Sequence, residues 1–106
     1  MSQRQWSLVV RSCAVVRQDD AVMTLQELSQ ASGCPPELAL RLVDLGVLEA
    51  VREGREPLFS ASALLRTRRA LRLKDDFALN VDALALVMEL LDRIEDLEAR
   101  LRRRGL

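Results

Sequence analysis

Residues 80–103, NVDALALVMELLDRIEDLEARLRR, contain neither proline nor glycine, and apolar side chains recur through them at helical spacing. Asn80 is a favourable helix cap, and Asp82 places a negative charge in the first turn, where the helix dipole stabilises it. The predicted helix runs to about Arg103, roughly 35 Å at 1.5 Å per residue. Such an element constrains the whole chain, because one long helix in a short sequence must either lie across the core or leave it.

The apolar pattern of this helix divides in two. With Val87, Ile94 and Leu101 at position a and Leu90 and Leu97 at position d, the second half reads as a coiled-coil seam two heptads long. The first half is broader: Leu84, Leu86, Met88 and Leu91 make it apolar on most sides. One neighbour cannot cover all of that surface. The first half is therefore expected to pack inside the domain, and the second half to meet a second copy. The expected dimer interface is Val87, Leu90, Leu91, Ile94, Leu97 and Leu101. Glu89–Arg93, Asp96–Arg100 and Glu98–Arg102 are acid-first i,i+4 pairs that support the helix by a few tenths of a kcal/mol each. Parallel pairing would set Arg93 near Glu98 of the other copy, whereas antiparallel pairing could bring Arg93 near Arg100. The charges favour parallel pairing, but two heptads do not fix it.

Upstream, punctuation residues mark a compact series of elements. T-L-Q-E at residues 24–27 is a capping box, predicting a helix from Leu25 to about Ser32 with Leu25, Leu28 and Ala31 on one face. Gly33 ends it, and Pro35 and Pro36 open a second helix striped by Leu38, Leu42 and Leu45, which Gly46 ends. Two short helices joined by a tight turn form a helix-turn-helix. Residues 47–51 and 58–59 are strand-like runs around a charged loop centred on Gly54, the pattern of a small β-hairpin wing. Ser60 or Ser62 then caps a third helix over residues 61–78. Its apolar stripe is Ala63/Leu64, Ala70/Leu71 and Phe77/Ala78, with Arg66, Arg68, Arg69 and Arg72 facing away. One or two strands are expected in the valine-rich segment 6–18. The fold class is mainly α: a winged helix-turn-helix over residues 1–79 and a C-terminal interaction helix over residues 80–106.

Composition narrows the function. The chain has 106 residues, enough for one domain with a modest core. Lys+Arg and Asp+Glu are 16 each, so bulk attraction to a phosphate backbone is weak. Histidine is absent, and the two cysteines, Cys13 and Cys34, form no CxxC pair; they read as core thiols in a reducing compartment, with no metal or cofactor implied. Arg11 and Ser12 interrupt the N-terminal apolar run, and ALALVMELL is about half a membrane span, so a cytoplasmic location is expected. With no histidine, tyrosine, phosphate cradle or metal cluster, an enzyme is not expected.

A duplex-reading surface is also poorly supplied. The second helix offers Glu37, Arg41 and Asp44, without Asn, Gln or Lys, and Arg52 and Arg55 of the wing are offset by Glu49, Glu53 and Glu56.

TLQELSQASGCPPELALRLVDLGVLEA, followed by a wing and a helix, resembles the MerR-type fold. More specifically, RTRRALRLKDDFALNVDALALVMELLDRIEDLEARLRRR resembles the CbpM-type chaperone-modulator family. There an R-L-R-x-D-L-x-L-N/D stretch precedes an apolar A-L-V-L-x-L-L-D-R-I helix. The resemblance implies a small dimeric protein that binds the J-domain of a DnaJ-like co-chaperone, CbpA, and inhibits it by covering the face used toward the Hsp70 partner. It departs from MerR regulators where they carry a Y-R-x-Y-like phosphate grip, since Leu58, Phe59 and Ser60 stand there. A competitor for a basic J-domain helix needs acids beside apolar surface. Asp75, Asp76, Asp82, Glu89 and Asp92 are the expected partner-binding residues, with Phe77 and Leu79 as core or local apolar contacts. The competing reading is a MerR-like DNA-binding transcriptional regulator.

Overall fold

A computed structural model describes residues 22–105; the strands expected within residues 6–18, and Cys13, lie outside the described residues. The elements in order are β1 (Met23–Thr24), α1 (Leu25–Ser32), α2 (Pro36–Asp44), β2 (Leu58–Phe59), α3 (Ala61–Phe77) and α4 (Val81–Arg103).

The local signals act as their chemistry requires. Thr24 caps α1: its Oγ1 accepts from the Glu27 N–H at 3.1 Å, and the Glu27 Oε1 accepts from the Thr24 N–H at 2.9 Å. Gly33 takes the left-handed conformation (φ 78°) and donates its N–H to the Ser29 carbonyl. Pro36 opens α2 at a position where no N–H is needed. The Asn80 Oδ1 accepts from the Ala83 N–H at 2.8 Å and starts α4 where expected. Ser60 occupies the cap position of α3 but makes no side-chain cap bond; its hydroxyl lies 2.7 Å from that of Ser62.

The wing is smaller than the sequence pattern suggests. The N–H groups of Val47 and Leu48 both bond to the Leu42 carbonyl, and both side chains are buried. Their donors finish α2, so residues 47–51 cannot ladder as a strand along their full length. Pairing across the wing is confined to Val51 and Arg52 against Leu58. β2 instead pairs antiparallel with β1, Met23 opposite Phe59 and Thr24 opposite Leu58. That two-stranded sheet ties the start of the helix-turn-helix to the segment leading into α3.

α1 lies at the centre, in contact with α2, α3 and both strands. The core gathers Leu28, Cys34, Ala39, Leu42, Leu48, Phe59, Ala63 and Ala70, and α4 adds Leu84 and Met88 at 0% and 1% exposure. Thr67 is buried too, its hydroxyl donating to the Ala63 carbonyl at 2.7 Å. Two expected core positions are different: Leu45 is substantially exposed, and Phe77 is 68% exposed. Phe77 is the last residue of α3, and the chain turns away immediately beyond it.

That turn runs through Ala78, the one non-glycine residue at positive φ among the described residues (φ 51°, ψ 43°). The N–H groups of Ala78 and Leu79 both bond to the Lys74 carbonyl. An L-alanine in this conformation costs roughly 1 kcal/mol that glycine does not. Ala78→Gly is therefore expected to raise stability by about 1 kcal/mol in a urea melt. A loss of stability would contradict the strained corner.

Candidate protein-interaction surface

Beyond Met88, α4 carries no further fully buried side chain. Leu90 and Leu97 are 50% and 56% exposed, and Leu86, Ile94 and Leu101 are equally open. Because 3.6 residues make a turn, these five fall on one stripe, on the opposite side of the helix from Leu84 and Met88. α4 is thus apolar on two opposite faces along its first half, and on the outer face alone along its second. Of the seam residues expected from the heptads, Leu90, Ile94, Leu97 and Leu101 are exposed, and Val87 and Leu91 are half-buried beside them. Leu86 extends the stripe by a turn; its g position in the heptad placed it at the edge of the seam.

Ionic contacts fix the angle at which α4 leaves the domain. The Arg66 guanidinium donates to both oxygens of Asp92, at 2.8 and 2.5 Å, and its Nε donates to the Val47 carbonyl. One side chain of α3 thereby holds α4 and the segment following α2. Arg69 pairs with Glu95 at 2.8 Å one turn further along. Arg66 was expected on an outward face; instead it lies between elements, where a planar fork fits a carboxylate in two-point contact. Arg68 reaches back to the Ala31 carbonyl at 2.6 Å. Of the three i,i+4 pairs expected on α4, Asp96–Arg100 forms, at 3.0 Å, and the other two are not formed among the described residues.

The five candidate partner-binding acids separate into two kinds. Asp92 is engaged by Arg66, and Asp82 faces Arg41 of α2 at 3.5 Å with both side chains open to solvent. Asp75, Asp76 and Glu89 are exposed and form no ion pair among the described residues. Asp75 and Asp76 stand at the end of α3 next to the exposed Phe77. Asp82 and Glu89 stand on α4, and Glu89 lines a groove with Leu45, Val47 and Leu86. The sequence missed Leu45 as a surface residue because its stripe with Leu38 and Leu42 is continuous; the helix ends at Asp44, so Leu45 swings out.

Among the described residues, no group of His, Cys, Asp and Glu could hold a metal ion, and no helix is long and apolar enough to cross a membrane. Cys34 is buried, and that burial raises its thiol pKa, which leaves it an inert core residue.

A small winged helix-turn-helix with a long outward helix defines a class. The sequence profile of MerR HTH family regulatory proteins matches residues 23–104. The chain is also 31% identical over 91 residues to the chaperone modulatory proteins CbpM of Coxiella burnetii strains Dugway 5J108-111, RSA 331 / Henzerling II and CbuG_Q212, covering 83% of this chain and 84% of theirs. The chain belongs to the MerR-like, CbpM-type family of chaperone modulatory proteins.

The Arg66–Asp92 contact has a pH signature. Hydrogen bonds from Arg66 hold the Asp92 carboxyl below its ordinary value of 3.8; partial burial opposes this, and the charges of Arg66 and Arg69 add to it. A depressed folded-state pKa contributes stability above the unfolded value, lost as pH falls through the folded one. Asp92→Asn should therefore lower stability at neutral pH by about 1 kcal/mol, discounted for exposure. It should also flatten part of the decline below about pH 5. Urea melts across pH check this, and an unchanged acid limb would show the contact to be idle.

Proposed function

We propose that this protein is a chaperone modulator that binds the J-domain of a DnaJ-like, CbpA-type co-chaperone in the cytoplasm. It acts by competing with the Hsp70 partner for that domain, and so inhibits co-chaperone activity. The observation that carries the reading is the set of exposed acids at the end of α3 and on α4, with Asp75, Asp76 and Glu89 in no ion pair among the described residues, in a chain whose relatives are named chaperone modulatory proteins. A basic helix of the partner would be drawn by Asp75, Asp76, Asp82, Glu89 and Asp92. Asp75, Asp76 and Glu89 do most of this, because the other two already face arginines. The outer stripe, Val87, Leu90, Leu91, Ile94, Leu97 and Leu101, serves a homodimer, since two copies cover it symmetrically.

The helix-turn-helix itself favours the second reading, a MerR-like transcriptional regulator. Against it stand the outward residues of α2: Glu37, the exposed Leu40, Asp44, and Arg41, which faces Asp82. That set offers a phosphate little to hold. The chain acts by binding, with no catalytic role.

Calorimetric titration with an isolated J-domain tests the proposal. The unaltered chain should bind, and charge reversal at Asp75, Asp76 and Asp82 should weaken binding by roughly tenfold or more. Retained affinity in that variant would show that the acids are the wrong face. A chain that ignores the J-domain yet shifts duplex DNA with steep salt dependence would favour the regulator.

A further inference from the structure

A groove runs between the end of α2 and the first half of α4. Val47 and Met88, at 4% and 1% exposure, form its floor, and Leu45 and Leu86, at 40% and 56%, stand at its rim. Glu89 and Asp92 line its α4 side. Arg66 also lines it, but its guanidinium is committed to Asp92 and its Nε to the Val47 carbonyl. Glu89 forms no ion pair among the described residues, so the groove keeps one uncompensated negative charge beside exposed leucine.

We propose that this groove receives the basic helix of the J-domain, with an apolar side chain of that helix between Leu45 and Leu86 and a lysine or arginine on Glu89. This inference rests on the chaperone-modulator reading and gives its partner a seat on the molecule. Side chains three or four residues apart share one face of a helix, so an apolar residue and a cation at that spacing meet rim and carboxylate together. Charge complementarity selects this occupant over two others. A phosphate backbone would meet a carboxylate where it needs a cation. A small polar molecule would find little to orient it, because every buried side-chain nitrogen and oxygen among the described residues already has a hydrogen-bond partner.

The groove is distinct from the outer stripe of α4. Ala85, Glu89 and Asp92 mark its centre on the helix, about two-fifths of a turn from the line through Leu90, Ile94, Leu97 and Leu101. Covering the stripe therefore leaves the centre of the groove open, and of the lining only Leu86 belongs to both. Asp75 and Asp76, on α3, lie outside the groove. They add to the attraction of a basic partner, whereas Leu45 and Glu89 make the contact.

Titration of an isolated J-domain into full-length variants tests the groove. Leu45→Ser should weaken binding by roughly tenfold and shrink the negative heat-capacity change, with the salt dependence kept. Glu89→Gln, an exposed change that spares the fold, should weaken binding severalfold and make it less sensitive to salt. Circular dichroism should show unchanged helix in both, and sedimentation equilibrium unchanged self-association, because neither residue lies on the outer stripe. Full affinity in both variants, where the unaltered chain binds and charge reversal at Asp75 and Asp76 weakens it, would overturn the groove and leave the chaperone-modulator reading standing. An unaltered chain that ignores the J-domain would overturn that reading and the groove with it.

Discussion

Leu84 and Met88 fix α4 to the domain, and the consequences of that anchor reach through the rest of the molecule. Two fully buried side chains, each worth about 1.5–3 kcal/mol of apolar burial, hold the first half of the helix in the core. Arg66 then sets its direction by gripping Asp92 and the Val47 carbonyl together. With one end of a 23-residue helix held in this way, the other end must project beyond the core. The outer leucines are exposed because of how their helix is tethered.

The same tether changes what the helix-turn-helix can do. In a duplex reader the second helix presents cations and amides to phosphates and base edges. Here its Arg41 turns toward Asp82 at the start of α4, and its outward face keeps Glu37, Leu40 and Asp44. The wing is short because the N–H groups of Val47 and Leu48 close α2. A scaffold shared with MerR HTH family regulatory proteins thus carries, on the outward face of α2, two acids and an apolar side chain beside its one arginine. The proposed J-domain partner and second copy use adjoining parts of the molecule, acids and apolar stripe.

Elements governed by local chemistry were legible in the sequence. The Thr24–Glu27 box, Gly33, the proline pair and the Asn80 cap each depend on residues within a few positions of one another, and each falls where its pattern put it. The division of α4 into a core-bound first half and an apolar stripe left outside the core was legible as well, because the core cannot cover an apolar surface that runs around most of a helix. What depended on chain path was not. Arg66 sits on a helix face that looks solvent-bound until Asp92 and Val47 are brought to it from elsewhere in the chain. Phe77 continues the α3 stripe in sequence, yet the helix ends there and the left-handed Ala78 carries the chain off, so the ring stays largely exposed among the described residues. The candidate acids were identifiable as charges, but the engagement of Asp82 and Asp92 by arginines from other helices could not be read from spacing.

The central claim is that the outer face of α4 beyond Asp92 is covered by protein when the chain works. Amide hydrogen exchange along this helix tests it most directly, because a helix held by few internal contacts opens readily unless a partner closes on it. Residues 84–92 should exchange slowly at every protein concentration. Residues 93–103 should exchange quickly when dilute and slow markedly as the concentration rises or an isolated J-domain is added. Fast exchange of residues 93–103 under all of these conditions would contradict the account.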